Sequence, residues 1–325
     1  MALPLSPGDY VRISIPEGDD FNGIFTVNQQ GNLEIPYLQP LPVAGLETSE
    51  VEQSLYQALV KGGFFRPAFL RVSVRVVQWG EAVVAVSGAV FAPGQVLINP
   101  QTTADKTQSP LQIAGDYAPA RNLTNAIRNA GGVRPDADLK SILLIRKGQE
   151  YRFDLSGILL GEPVPEVPLI TGDQIKIAST GKVQPELVRP STITTVGVKV
   201  FLSNLTEPSS SNASSSIGRD ATSFPYGARF AQAVVAANCA GGTQATNADR
   251  QGLLVRIDRL TGKTWYLERS VQDLLKNSTG EENNPFLMPD DAVICYDSAV
   301  TNTRDIFQTI GDIFSPFAII RGLFR

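Results

Sequence analysis

The sequence contains no histidine and only two cysteines, two methionines and two tryptophans. Without histidine there is no histidine-containing catalytic triad and no histidine zinc ligand, and the commonest general base is missing. Two cysteines are too few to hold a structural zinc ion by themselves. Before residue 301 there is also no continuous apolar run of about 18 residues, the length typical of a membrane-spanning helix. We therefore expect residues 1–300 to be soluble.

The composition is that of a globular protein with two or three domains. The chain has 325 residues, of which 42% are hydrophobic and 18% are charged, so apolar side chains suffice for a core. The formal net charge of −4 provides no basic surface field for nucleic acid. We expect no nucleic-acid partner.

Candidate catalytic motifs are few. Adjacent acidic residues occur at Asp19-Asp20, Glu281-Glu282 and Asp290-Asp291, but neighbouring side chains on a strand point to opposite faces and do not converge on one substrate bond. We expect these acids to begin turns or to stay solvated. Gly262-Lys263-Thr264 resembles the end of a phosphate-binding loop, yet Ile257 stands where that loop needs a glycine, which favours a hairpin turn. The sequence thus predicts no catalytic residue, no metal site and no cofactor.

Residues 1–80 are predicted to form a small α+β domain. A tight turn at Pro7-Gly8-Asp9 precedes an alternating strand over residues 10–15. Thr48 is expected to cap a helix that ends at Gly62-Gly63. A strand over residues 69–77 completes the domain.

Residues 81–180 and 193–300 contain the same predicted elements in the same order, with residues 181–192 as a polar linker. Each copy has a strand, a helix, a hairpin and a final strand, and an acidic turn precedes that final strand. The predicted helices cover residues 123–130 and 230–237, and they are followed by Gly131-Gly132 and Gly241-Gly242. The order predicts two β-grasp-like modules in an α+β chain.

The last 25 residues, 301–325, are predicted to form an amphipathic helix. From Arg304 to Arg325 it would span roughly 33 Å at 1.5 Å per residue, against a hydrocarbon core of about 30 Å. Apolar residues recur at three- and four-residue steps, and polar residues share another face. The apolar face consists of Ile306, Phe307, Ile310, Ile313, Phe314, Phe317, Ile320 and Phe324; the polar face carries Arg304, Gln308, Asp312 and Ser315.

Three placements of this tail helix remain open. A lone helix with Gln308 and Asp312 on one side does not suit lipid, whereas a ring of identical helices turns apolar faces to lipid and polar faces to a wet lumen. The alternatives are a helix lying in the membrane interface and a terminal helix docked on its own domain.

The two cysteines lie in the second module, Cys239 after its helix and Cys295 in its final strand. The first module has Asn129 and Ile177 at the positions we match to them, so the module itself does not require the pair. Helix and final strand pack together in such a unit, which allows a disulfide. Two buried free thiols are the alternative, and an oxidising compartment favours the bond.

Several motifs together resemble a known family. Residues 5–9, 31–36 and 43–48 resemble the opening domain of outer-membrane polysaccharide export proteins. Residues 86–94, with 123–132 and 172–173, resemble the β-grasp (SLBB-like) module that follows it in that family. The second module and the amphipathic tail complete the same plan. Family members usually carry an export leader and often an acylated N-terminal cysteine, so we expect Met1 to stand in place of a removed leader.

The resemblance implies a function in polysaccharide export. It implies a non-enzymatic homo-oligomeric ring, an octamer, with its body in the periplasm and its C-terminal helices crossing the outer membrane. Capsular polysaccharide or exopolysaccharide would pass through the lumen, supplied by an inner-membrane polysaccharide co-polymerase. The alternative function is a soluble periplasmic protein that binds a glycan or small ligand, with the tail helix docked on its body.

Overall fold

The computed structural model describes residues 3–16, 18–100, 120–206, 221–240, 250–257, 263–276 and 279–297. The chain has the predicted α+β class and divides into two compact units, Met1–Thr195 and Val196–Arg325. No helix within the described stretches is long and apolar enough to cross a bilayer. The predicted tail helix, residues 301–325, lies outside them.

The first unit opens with a three-stranded antiparallel sheet in the order β2-β1-β5 and a small two-stranded sheet, β3-β4. One helix, α1, packs against the larger sheet. The elements are β1 (Tyr10–Ser14), β2 (Gly23–Thr26), β3 (Asn32–Leu33), β4 (Leu41–Pro42), α1 (Thr48–Lys61) and β5 (Ser73–Gln78). The last strand is shorter than predicted, because Phe69 lies in a loop and is 77% exposed.

Helix α1 begins with a capping interaction that differs from the prediction. Glu47 precedes the helix, and its backbone N–H donates to the carboxylate of Glu50 at 2.8 Å. Thr48 is the first helical residue, so the prediction that it caps the helix was wrong. Val51, Leu55 and Leu59 recur every four residues and are fully buried, and burying side chains of this kind contributes about 1.5–3 kcal/mol each.

The rest of the first unit contains a five-stranded sheet in the order β7-β6-β10-β8-β9, with β6 parallel to β10. Its elements are β6 (Ala82–Gly88), β7 (Gly94–Ile98), α2 (Leu123–Asn129), β8 (Ile142–Arg146), β9 (Gln149–Phe153) and β10 (Gln174–Ile177). The stretch predicted as a polar linker packs on this part of the molecule, since its residue Leu187 belongs to the core together with Ile193, the first residue of the predicted second module. The stretch is therefore part of the first unit.

The second unit has the same strand order, β12-β11-β15-β13-β14, with β11 parallel to β15. Its elements are β11 (Gly197–Asn204), β12 (Thr222–Pro225), α3 (Phe230–Ala236), β13 (Arg250–Ile257), β14 (Thr264–Ser270), α4 (Val271–Lys276) and β15 (Ala292–Asp297). Helix α3 ends sooner than predicted, because Asn238 adopts a positive φ of 57° there. The strands β7 and β12 and the helix α4 are not anticipated by the sequence analysis.

Helix and sheet approach each other differently in the two repeats. In the second repeat Phe230 of α3 lies over Gly252 of β13, where an added Cβ would come within 3.3 Å of the phenyl ring. In the first repeat, the register of β8 against β10 places Ile142 at the position that Gly252 has in the second repeat. The residue that corresponds to Phe230 is Leu123, the first residue of α2. The second repeat thus combines a larger helix residue with a smaller strand residue than the first repeat does, and the total side-chain volume at this point of the core stays similar in the two repeats.

Candidate functional site

The Pro7-Gly8-Asp9 motif forms a closed turn directly before β1. Gly8 has a φ of 91°, a conformation that favours glycine. The backbone N–H of Asp9 donates to Ser6 O at 3.1 Å, and the Ser6 N–H donates to Asp9 Oδ2 at 2.7 Å. We call this arrangement, in which the aspartate ending the turn accepts from the residue that begins it, an aspartate turn.

The other carboxylate oxygen of Asp9, Oδ1, accepts hydrogen bonds from two groups that follow β5 in the sequence. Gly80 N–H donates to Oδ1 at 2.7 Å, and Arg121 Nη1 donates to the same oxygen at 2.6 Å. Gly80 is needed for this approach, because an added Cβ would lie 2.5 Å from Gly8 O. The carboxylate therefore joins the opening domain to the segment that precedes α2.

Arg121 is as deeply buried as its partner. Both side chains have no exposed surface, Arg121 Nε donates to Leu169 O at 3.2 Å, and the guanidinium lies over the ring of Trp79 at 5.1 Å. Arg121 thus contacts Asp9 of the opening domain, Trp79 directly after β5, and Leu169 in the loop before β10 of the first repeat. Further hydrogen bonds cross the same boundary, among them those from Thr171 N–H to Ser6 Oγ and from Lys147 Nζ to Ala44 O.

Burial dominates the electrostatics of this pair. Desolvation raises the pKa of Asp9, and the Arg121 charge and the two backbone N–H groups only partly oppose it. Desolvation likewise lowers the pKa of Arg121 against the opposing charge of Asp9. Taking two charges out of water is costly, so the pair contributes more to fixing the relative position of the two parts than to net stability.

The same aspartate turn occurs once in each repeat, directly before the final strand. In the first repeat Asp173 N–H donates to Ile170 O at 3.2 Å, and Ile170 N–H donates to Asp173 Oδ2 at 2.9 Å. In the second, Asp291 N–H donates to Met288 O at 3.2 Å, and Met288 N–H donates to Asp291 Oδ2 at 2.8 Å. The third residue of each turn has a positive φ, 92° at Gly172 and 65° at Asp290.

Each of these two carboxylates binds an arginine from the neighbouring antiparallel strand. Arg146 donates to both oxygens of Asp173, at 2.9 and 2.6 Å, and to Pro168 O at 2.7 Å. In the second repeat the equivalent Arg256 donates to both oxygens of Asp291, each at 2.8 Å, and to Phe286 O. Paired, two-bond arginine–carboxylate contacts of this kind fix geometry strongly.

Arg121 has no counterpart in the second repeat. Leu169 N–H donates to Arg121 O, and the matching bond in the second repeat runs from Leu287 N–H to Ala228 O. Ala228 therefore occupies the position of Arg121. The buried arginine that reaches Asp9 belongs to the first repeat only.

The prediction for the adjacent acids was wrong at one position. Asp291 was expected to begin a turn or stay solvated, but its side chain is completely buried against Arg256. Burial raises its pKa, and the hydrogen bond and charge of Arg256 oppose that shift. No local sequence pattern shows that a partner 35 residues away neutralises it.

Cys239 and Cys295 form a disulfide, with Cα atoms 5.9 Å apart. It joins the end of α3 to β15, so the structure favours the first of the two alternatives left open by the sequence. The counterpart of Cys239 in the first repeat is Gly132 and not Asn129, because Cys239 N–H donates to Val234 O as Gly132 N–H donates to Ile127 O.

Other predicted site residues lie apart from this cluster. The lipid-facing and lumen-facing residues of the tail helix are outside the described residues. Lys263 precedes β14, and Thr264 begins that strand as predicted. Among the residues that the structure describes, no three potential metal ligands lie close enough together to hold an ion.

Comparison with known proteins assigns the opening domain. Residues 2–77 match the family model of polysaccharide biosynthesis/export protein, a range that contains the aspartate turn at Asp9, α1 and most of β5. A search of curated proteins returned no significant match. The family match confirms the resemblance carried by residues 5–9, 31–36 and 43–48. Residues 2–77 therefore form a domain of the polysaccharide biosynthesis/export family, which supports a role in polysaccharide export.

Proposed function

We propose that the chain is one subunit of a homo-oligomeric ring, an octamer, that forms a pore for capsular polysaccharide or exopolysaccharide in the outer membrane. The export domain at residues 2–77 is the observation that carries this proposal. The body of the ring lies in the periplasm, and an inner-membrane polysaccharide co-polymerase supplies the polymer. The protein acts as a conduit and not as an enzyme.

Two features of the described residues support the proposal. The same strand order occurs in both repeats, with the first strand parallel to the last, and this repetition supports the proposal of two SLBB-like β-grasp modules after the export domain. The disulfide between Cys239 and Cys295 suits an oxidising compartment such as the periplasm.

The proposed mechanism is passive passage through a hydrated lumen. In the ring, each copy contributes residues 301–325 as one transmembrane helix, because a helix with one polar face is tolerated in a membrane when a ring of copies turns the apolar faces to lipid and the polar faces to a hydrated lumen. The buried Asp9–Arg121 pair holds the export domain against the first module, so that both parts of each subunit keep one orientation as the polymer passes.

The proposal is tested in the source cell by replacing the gene with variants. The full chain restores polymer at the cell surface and fractionates with the outer membrane, whereas a chain ending at residue 300 does neither. Negative-stain images of the detergent-purified full chain show rings. A truncated chain that still fractionates with the outer membrane would contradict the assignment of the tail, and solitary particles would contradict the pore.

A further inference from the structure

One face of the export domain's three-stranded sheet is open to solvent. Val11, Ile13 and Val74 point to the other face, where they join the buried core with α1. Because side chains alternate along a strand, the neighbours of these residues lie on the open face. They are exposed or half-buried, and they are Tyr10, Arg12, Ser14, Ile24, Thr26, Ser73, Arg75 and Val77.

Two arginines lie directly opposite each other on this open face. The register of β1 and β5 pairs Arg12 with Arg75. Like charges in directly opposite positions of a sheet repel and cost stability. Within the described part of the chain, the ion pairs involve other residues and none reaches Arg12 or Arg75.

The surroundings of the arginines favour a sugar over a purely ionic partner. Tyr10 is two residues from Arg12 on the same face and 37% exposed, so its ring is available for packing against the apolar side of a sugar ring. Ser14 and Ser73, paired with each other in the register, add hydroxyl groups beside the arginines. A surface of two guanidinium groups, one aromatic ring and hydroxyls complements a sugar that carries a carboxylate.

We propose that this face, which we call the arginine face (Tyr10, Arg12 and Arg75), binds the carboxylate-bearing sugar units of an acidic polysaccharide. A planar guanidinium binds a carboxylate through two parallel hydrogen bonds, and a bound anion relieves the repulsion between the two arginines. The inference rests on the proposed function and specifies its substrate as an acidic, uronate-type polymer.

The test measures binding of the full chain to an oligouronate and to a neutral oligoglucan of the same length by titration calorimetry. The full chain binds the oligouronate and not the neutral oligomer, and the affinity falls as salt is added. The double variant Arg12→Gln/Arg75→Gln binds at least about tenfold more weakly, since two charge-assisted contacts are lost. Tyr10→Ala weakens binding without changing the salt dependence.

A charge-matched control excludes a general effect of net charge. Lys176 and Lys182 are exposed cations of the first unit. The variant Lys176→Gln/Lys182→Gln also removes two positive charges and should bind the oligouronate as the unmodified protein does. The arginine double variant removes a like-charge contact, so its melting temperature should be unchanged or higher, and lost binding cannot then be attributed to unfolding. Unchanged binding by the arginine double variant, or an equal loss of binding in the Lys176/Lys182 variant, would overturn the proposal.

Three further outcomes also decide the matter. If a polyglutamate peptide of the same charge binds as tightly as the oligouronate, the face recognises an acidic protein and the sugar assignment is wrong. If the double variant still exports polymer and the unmodified protein does not bind oligouronate, this inference fails while the proposed function stands. If export continues without the gene, the proposed function fails whatever the binding data show.

Discussion

Asp9 and Asp173 each end a four-residue turn of the same kind, and each carboxylate accepts hydrogen bonds from an arginine. The two arginines lie in different parts of the fold. Asp173 binds Arg146, 27 residues earlier on the neighbouring strand of its own sheet. Asp9 binds Arg121, 112 residues away and outside its sheet. The first arrangement closes a loop within one sheet, and the second holds two parts of the first unit together.

The Asp9–Arg121 pair gives the first prediction. Arg121→Met leaves the Asp9 carboxylate buried without its cation, and we expect the free energy of unfolding of the first unit to fall by about 3–5 kcal/mol. The chain has one tryptophan in each unit, Trp79 and Trp265. In a Trp265→Phe background, urea unfolding followed by the fluorescence of Trp79, which lies beneath Arg121, measures this change.

The control for this prediction removes both charges. Asp9→Asn/Arg121→Met has no buried charge left to desolvate and keeps one side-chain oxygen as an acceptor for a backbone N–H group of the turn, so it should regain part of the lost stability. A double variant as unstable as Arg121→Met would show that the polar contacts of the pair, and not the uncompensated charge, carry the effect.

The sequence predicts those structural features that are determined by residues close together in the chain. The turn at Gly8-Asp9, the helix over 123–130 and the order of elements in both repeats follow from glycine positions and alternation near each element. The strands β7 and β12 were missed because they are edge strands with weak alternation, GQVLI and TSFP.

The arginine partners of the aspartate turns were missed for a different reason. Arg121 and Asp9 are joined by the packing of two separate parts of the chain, and nothing in the residues around Arg121 indicates a buried cation. The available signal was the recurrence of an aspartate directly before a strand, at Asp9, Asp173 and Asp291. Buried acids are paired with cations, so this recurrence directs attention to arginines on the paired strands. It indicates Arg146 and Arg256, but it does not indicate Arg121, which lies outside the sheet of Asp9.

The second prediction concerns the disulfide of the second unit. Cys239 and Cys295 are 56 residues apart, and closing a loop of that length stabilises a fold by about 4 kcal/mol in the chain-entropy model. Reduction, or Cys239→Ser/Cys295→Ser, should therefore increase hydrogen exchange at the amides of β13 and β15. The amides of β6 and β10 in the first unit serve as the internal control and should not change; equal exchange in β15 before and after reduction would contradict the prediction.

The third prediction is a dependence of stability on alkaline pH. Tyr296 Oη donates to Glu268 Oε1, and desolvation, with this hydrogen bond and the Glu268 charge, raises the pKa of Tyr296 above its ordinary value of 10.0. The folded state therefore keeps the phenol protonated where the unfolded state ionises. The stabilisation is fully present below pH 10 and is lost as the pH rises towards the folded pKa.

Thermal melting at pH 8 and near pH 11 checks this dependence. The free energy of unfolding of the second unit should fall by about 1 kcal/mol between these values through Tyr296 alone. Tyr296→Phe loses the hydrogen bond to Glu268 and is less stable at pH 8, but its stability should change less with pH. Parallel curves for the two proteins would show that Tyr296 does not titrate differently on folding.

The fourth prediction concerns the close contact between helix and sheet in the second repeat. In Gly252→Ala the new Cβ would lie 3.0 Å from a methyl group of Val234 and 3.3 Å from the Phe230 ring, which forces the helix from the strand and costs about 1–3 kcal/mol. Phe230→Leu alone leaves a cavity beside Gly252 and also destabilises. Combined, the two changes imitate Leu123 and Ile142 of the first repeat, so we expect the double variant to be more stable than the sum of the single effects predicts. Chemical denaturation of the four proteins completes the cycle, and additive losses would mean that α3 and β13 adjust independently of each other.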